Sequence, residues 1–170
     1  MLPVVPMFHA NAWGMTETSP VATVGSARSH LDGGTEDERA DARARQGVPA
    51  PLVELRITDP DTGEELPWDD VATGELQAAG PWVARQYHRG EGEGQFTADG
   101  WLKTGDVAAV DRYGSVRLVD RTKDLVKSGG EWISSVELEN ELMAHPAVAE
   151  AAVIGVPHEK WSARWSLNGH

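Results

Sequence analysis

Three short stretches of this 170-residue chain carry residue types suited to phosphate and ribose chemistry. The first is Trp13-Gly14-Met15-Thr16-Glu17-Thr18. Its hydroxyls, and the backbone amides of a glycine-containing loop, suit phosphate oxygens. A lone Glu17 suits Mg²⁺, which takes oxygen ligands and few protein carboxylates. The competing reading is a loop tied by its own Ser and Thr hydroxyls. The second stretch is Thr104-Gly105-Asp106, following Asp99-Gly100-Trp101-Leu102-Lys103. Glycine lets the backbone approach a ligand closely, and an Asp at the mouth of a strand can accept two hydrogen bonds from a ribose diol. An ordinary Asp-containing turn explains the same tripeptide. In the third, Arg121, Lys123 and Lys127 precede Ser128-Gly129-Gly130-Glu131. These cations could meet phosphate or a phosphopantetheine arm, and a solvated charged turn has the same composition.

Such stretches need elements to position them. Residues 2–8 read as a buried strand broken by Pro3 and Pro6. Residues 11–26, rich in Gly, Thr and Ser, read as loop. The Ala-rich run 36–45 has acids first and bases last, matching the helix dipole, and its thin apolar face predicts a surface helix. In 52–58, Val53, Leu55 and Ile57 alternate with Glu54, Arg56 and Thr58, which predicts a half-buried strand ending in the Asp59-Pro60-Asp61-Thr62-Gly63 turn. A second strand is expected over 74–79 and loop over 81–84. Strands at 107–110 and 115–120 are expected to join through Asp111-Arg112-Tyr113-Gly114 as a hairpin. A helix is predicted over 134–144, from a Ser134/Glu137 capping box, Leu138 and Leu142 on one face, and a stop at His145-Pro146. An apolar strand follows over 147–156. Residues 160–170 show no apolar periodicity and are assigned no structure. The expected domain boundary lies just after Asp120.

Composition narrows the function classes. A net charge of −12 argues against non-specific nucleic-acid binding and against docking on an anionic membrane. The absence of Cys excludes disulfides and thiolate metal sites. No apolar run is long enough to span a bilayer, and the first residues lack the basic and small-residue features of a signal peptide. A cytoplasmic location is the expectation.

The three stretches, in this order, resemble the adenylate-forming (AMP-binding) superfamily, in particular its fatty acyl-CoA synthetases. The likeness runs from about residue 2 to about residue 161. It is supported by Gly74-Glu75-Leu76, Gly80-x-Trp82-Val83, Tyr87, Trp101-Leu102-Lys103-Thr104-Gly105-Asp106, His145-Pro146-Ala147-Val148 and Ala151-Ala152-Val153-Ile154-Gly155. The resemblance implies an α+β fold. A remnant of the large N-terminal domain, with mixed sheets and β-hairpins, would occupy about 1–120. The start of the small α+β C-terminal domain would occupy 121–161, with an atypical tail over 162–170. It implies a ligase that uses ATP and Mg²⁺ to join a fatty or medium-chain carboxylate to AMP, then passes the acyl group to the thiol of CoA. Loading of a carrier protein, and a non-catalytic nucleotide-binding fragment, are the alternatives.

The resemblance also distributes roles. Thr16 would contact the α-phosphate and Glu17 would be the Mg²⁺ ligand. Trp13, Gly14 and Met15 would lie along the adenine. Asp106 would bind both ribose hydroxyls, and Arg121 would also reach the ribose. Lys123 would be the hinge on which the small domain rotates between half-reactions. Lys127, with Gly129 and Gly130, would belong to the segment swung in for thioester formation. His9 would lie near the acyl pocket.

Two family segments are not found: a Thr/Ser/Gly-rich phosphate loop ending in Lys, and a Gly-Lys-hydrophobic stretch holding a catalytic Lys. Residues 6–14 resemble the family's acyl-pocket segment and residues 13–17 its nucleotide segment. A long stretch separates the two in the family, and both contain Trp-Gly. An internal deletion joined at Trp13-Gly14 is therefore expected, and without the phosphate loop and the catalytic Lys this chain alone is expected to be inactive or nearly so.

Overall fold

The computed structural model describes residues 12–25, 33–92, 94–123, 125–128, 131–145, 147–158 and 162–169. The expected strand over 2–8, His9, Gly129 and Gly130 lie outside these residues. The fold is α+β, as expected, and its registered strand ladders are antiparallel. The chain divides into two compact units, 1–118 and 119–170.

One four-stranded sheet is formed by β4 (Glu54–Thr58), β5 (Thr73–Ala79), β6 (Leu102–Val110) and β7 (Val116–Arg121), hydrogen-bonded in that order, and the division after Leu118 falls within β7. The alternation at 52–58 does what it predicts: Val53, Leu55 and Ile57 are buried and Glu54 is exposed. They join Leu76, Ala78, Leu102, Ala108, Val110 and Val116 in one core cluster, which also takes in Trp13. Burial of this kind contributes about 25 cal/mol per Å² of apolar surface. Thr58 is buried too, its hydroxyl accepting a 3.0 Å hydrogen bond from the Gln77 amide. The expected hairpin closes at Asp111. Its backbone bonds Gly114 and Ser115, and its carboxylate accepts from the Tyr113 and Ser115 N–H groups at 2.8 Å each.

Residues 11–26 are not simply loop. β1 (Ala12–Trp13) pairs with β2 (Thr23–Val24), which pairs with β3 (Val48–Pro49). Two-residue strands are too short to show a period of two in sequence. The predicted surface helix is α1 (Glu36–Ala44), which buries no side chain. Thr35 and Glu38 form its reciprocal capping box. Arg45, the residue after it, turns inward and forks onto Asp41 at 2.9 Å and Asp70 at 2.7 Å.

The second unit contains β8 (Val126–Ser128), β9 (Glu131–Ile133), α2 (Ser135–Met143), β10 (Ala151–His158) and β11 (Ser162–Gly169). Its sheet order is β10-β11-β8-β9. The predicted helix is present, and its N-terminus is held by Asp120. That carboxylate accepts from the Ser134 hydroxyl at 2.9 Å and the Ser135 N–H at 3.0 Å. An acceptor carboxylate at a helix start satisfies orphan N–H groups and complements the dipole. Within the segment expected to have no structure, 160–170, the described residues form β11, paired with β10 from Ala151↔Gly169 to His158↔Ser162.

Candidate nucleotide site

The site starts from a tight turn. Thr16–Thr18 is a single 3₁₀ turn. Thr18 is fully buried and closes it: its N–H bonds the Met15 carbonyl at 3.0 Å, and its hydroxyl accepts from the Met15 N–H at 2.9 Å. The same hydroxyl lies 3.0 Å from the Met15 carbonyl and 3.1 Å from that of Pro20. Thr18 is thus consumed in tying the loop, while Thr16 is exposed and Glu17 half-buried. Gly14 must be glycine here, because a Cβ would run into the Pro20 carbonyl.

The Thr104-Gly105-Asp106 tripeptide is not a turn before a strand. It lies inside β6 as a bulge. Gln77 faces Lys103 and Glu75 faces Val107, which leaves the three residues opposite Leu76 alone. Bulges re-aim side chains and break local pairing. Thr104 compensates, donating to the Leu76 carbonyl at 2.6 Å and accepting from the Asp106 N–H at 3.2 Å. Gly105 has φ +73° in open space, so its backbone conformation calls for glycine.

One contact joins the first two stretches. The Trp13 indole N–H donates to Asp106 Oδ2 at 2.8 Å, across 93 positions of sequence. Trp13 is 1% exposed and Asp106 6%. Trp13 is thereby part of the core, and Gly14, Met15 and Thr16 form the more open face of the segment.

Glu17 has a partner that the sequence reading did not assign. The Tyr87 hydroxyl donates to Glu17 Oε1 at 2.6 Å. This bond, together with partial burial and the charge of Glu17, holds the Tyr87 hydroxyl above the usual tyrosine range. Tyr87 entered the sequence reading only as one of the family's supporting residues; no local signal ties it to Glu17.

Among the described residues, no group of three or more His, Asp or Glu is placed to hold a metal. A lone, half-buried Glu17 does not make a protein cage, but it fits Mg²⁺, which keeps several waters and takes one or two carboxylates plus substrate phosphates.

An open cleft of about 340 Å³ is lined by Glu54, Gly80, Val83, Arg85, Asp99 and Trp101 among others. Beside it Arg56 stacks on Trp101, 4.4 Å from the ring centroid, and forks onto Asp99 at 2.8 and 3.2 Å. The sequence reading assigned none of these residues to a site.

In the second unit Arg121 and Lys123 are exposed, and the Arg121 N–H donates to Asp120 Oδ1 at 2.7 Å. Lys127 sits in β8, in register with Trp132.

The comparisons agree with one another. The family model described as AMP-binding enzyme matches residues 3–88, and that of the AMP-binding enzyme C-terminal domain matches residues 137–165. The chain is 49% identical over 154 residues to the long-chain-fatty-acid–CoA ligase of Thermus thermophilus, covering 89% of this chain and 28% of that protein. It is 46% identical to the medium-chain-fatty-acid–CoA ligase of Ectopseudomonas oleovorans, covering 91% and 28% respectively. The chain thus spans little more than a quarter of the curated relatives it matches. Among solved structures, ATP-bound MatB from Rhodopseudomonas palustris superposes with a TM-score of 0.73 at 35% identity, covering 94% of this chain and 30% of that one. The o-succinylbenzoate CoA synthetase of Bacillus subtilis, in complex with its acyl-adenylate intermediate, gives 0.72 at 32% identity, covering 94% and 31%.

Proposed function

The chain belongs to the AMP-binding enzyme family, and on that premise we propose that the protein is an ATP-dependent acyl-CoA ligase whose 170 residues supply the nucleotide-contacting turn and bulge. Fatty acids of medium or long chain are the proposed substrates, since these are what the names of two similar ligases specify.

The chemistry has two steps. A carboxylate oxygen attacks the α-phosphorus of ATP, and the bond from that phosphorus to the bridging oxygen of pyrophosphate breaks. The sulfur of deprotonated CoA then attacks the acyl carbon. A C–S bond forms, the C–O bond to AMP breaks, and the thiol proton passes to solvent. Asp106 accepts hydrogen bonds from the two ribose hydroxyls, held in orientation by Trp13. The Thr16 hydroxyl and neighbouring amides meet the α-phosphate, with Gly14 and Met15 along the adenine. Glu17 would hold Mg²⁺, which supplies charge neutralisation at phosphorus. Arg121 is assigned to the ribose, Lys123 to the hinge, Lys127, Gly129 and Gly130 to the thioester-forming segment, and His9 to the acyl pocket.

The observation that supports this reading is the 2.8 Å bond from Trp13 to Asp106, which links the segment leading into the Thr16–Thr18 turn to the Asp106 carboxylate. A non-hydrolysable acyl-AMP analogue with a medium alkyl chain should raise the melting temperature of the chain in a saturable manner. A melt that does not move with the analogue, or that moves equally with the Asp106→Ala variant, overturns it. The Trp13-Gly14 junction of two family segments is part of the proposal. These 170 residues hold neither the family's phosphate loop nor its catalytic Lys segment, so acid-dependent exchange of pyrophosphate into ATP should be absent or nearly so. Robust exchange by this chain contradicts the expected inactivity.

A further inference from the structure

The turn that carries Glu17 is fastened to a segment far along the chain. The Ala84 N–H donates to the Glu17 carbonyl at 2.8 Å, and the Ser19 hydroxyl donates to the Trp82 carbonyl at 2.9 Å. Tyr87 ends the same segment and donates to the Glu17 carboxylate at 2.6 Å. The backbone of the turn and its one acidic side chain are therefore held by the same segment, residues 82–87.

The Tyr87 ring is itself held. Phe96 meets it edge-on, with centroids 5.6 Å apart and an interplanar angle of 62°. Gly92, at φ +74°, passes so close that any Cβ there would press on the ring. A phenol with a fixed ring can set the rotamer of a flexible partner, and a hydrogen bond to a carboxylate is short and strong for its type. Glu17 needs this help: it is half-buried, and among the described residues Tyr87 is the only side chain seen bonded to its carboxylate.

We propose that Tyr87 is a positioning residue for the metal–nucleotide site, holding the Glu17 carboxylate in one orientation before Mg²⁺ and nucleotide arrive. The idea rests on the assignment of Glu17 to Mg²⁺. It adds that the carboxylate is pre-ordered by a residue 70 positions away, so that less ordering remains to be done on binding.

The test uses the full 170-residue chain and calorimetric titration with ATP, once with Mg²⁺ and once in EDTA. Tyr87→Phe keeps the ring against Phe96 and Gly92 and deletes only the hydroxyl. It should weaken Mg-ATP binding about tenfold, the scale on which supporting hydrogen bonds tune metal sites. Metal-free ATP should bind as before. Glu17→Gln should weaken Mg-ATP at least as much, and adding Tyr87→Phe to it should change little more, because coupled residues are not additive. Equal weakening of both forms of ATP by Tyr87→Phe marks a purely structural tyrosine and overturns the proposal. Unchanged Mg-ATP binding in Tyr87→Phe, with a loss in Glu17→Gln, overturns the role of Tyr87 and leaves Glu17 standing. No effect of Glu17→Gln, or no nucleotide binding by the parent chain, overturns the metal assignment and the proposal together.

Discussion

Replacing Trp13 by Phe separates the two things this indole does. It fills core space at 1% exposure, and it donates to the buried Asp106 carboxylate. Phe retains most of the apolar volume and lacks the N–H. A hydrogen bond to a charged acceptor is worth about 1.5–3 kcal/mol net. The smaller ring leaves a void costing about 1 kcal/mol more at roughly 24 cal/mol per Å³. The expected loss is therefore about 2.5–4 kcal/mol, a large share of the ~5–15 kcal/mol that holds an ordinary domain folded. Urea unfolding followed by far-ultraviolet circular dichroism measures it without depending on tryptophan emission. Trp82→Phe is the control: Trp82 is 40% exposed, and its side chain makes none of the described hydrogen bonds, so its loss should stay below about 0.5 kcal/mol. A double-mutant cycle with Asp106→Ala isolates the bond itself, with an expected coupling of about 1–2 kcal/mol. If Trp13→Phe costs no more than the control, or if the two losses simply add, Trp13 is only core filling and its link to the Asp106 carboxylate is refuted.

Three further outcomes follow from particular contacts. Gly14→Ala should destabilise by more than about 2 kcal/mol, because the added methyl meets the Pro20 carbonyl within the turn; urea midpoints check this. Arg45→Ala breaks the forks onto Asp41 and Asp70, with the Arg side chain only 10% exposed but its partners 59% and 35%. Partial solvent screening of the partners brings the expected cost to about 2–3 kcal/mol, below that of a fully buried pair, again read from urea midpoints. The Arg56 guanidinium holds Asp99 down to about 2. A depressed carboxylate contributes stability above its ordinary pKa of about 4 and loses it as the pH falls through the folded value. The stability gap between the parent chain and Asp99→Asn should thus be constant from pH 7 to about 5, narrow as the pH falls further, and close only below about pH 2.

Some of this fold is legible in the amino-acid sequence. The alternation of Val53, Leu55 and Ile57 predicted β4 because one face of that strand does enter the core. The acid-to-base gradient of 36–45 predicted α1 because an exposed helix depends on its caps and dipole more than on packing. The Thr-Gly-Asp motif was legible in type but not in geometry. Glycine and aspartate signal a turn locally, and only the pairing of Glu75 and Gln77 on either side shows a bulge. β11 corrects the expectation of no periodicity over 160–170: Ala163, Trp165 and Leu167 alternate with Arg164, Ser166 and Asn168, a short period-two pattern. The contacts that assemble the candidate site left no local trace. Trp13 reaches Asp106 across 93 residues and Tyr87 reaches Glu17 across 70, and no periodicity in one chain encodes either. The order of family motifs named Trp13, Glu17 and Asp106 as a group, and the fold joins two of them directly: Trp13, in the core, bonds Asp106.

The account turns on Asp106 as the carboxylate that reads a ribose diol. The most direct measurement compares the affinity of the 170-residue chain for AMP and for 2′,3′-dideoxy-AMP, in the parent and in Asp106→Asn. Two hydrogen bonds to a buried carboxylate predict saturable AMP binding at one site, and at least about tenfold weaker binding of the dideoxy analogue. That difference should largely vanish in Asp106→Asn. Equal affinity for the two nucleotides in the parent chain, or no saturable binding of AMP, contradicts the account.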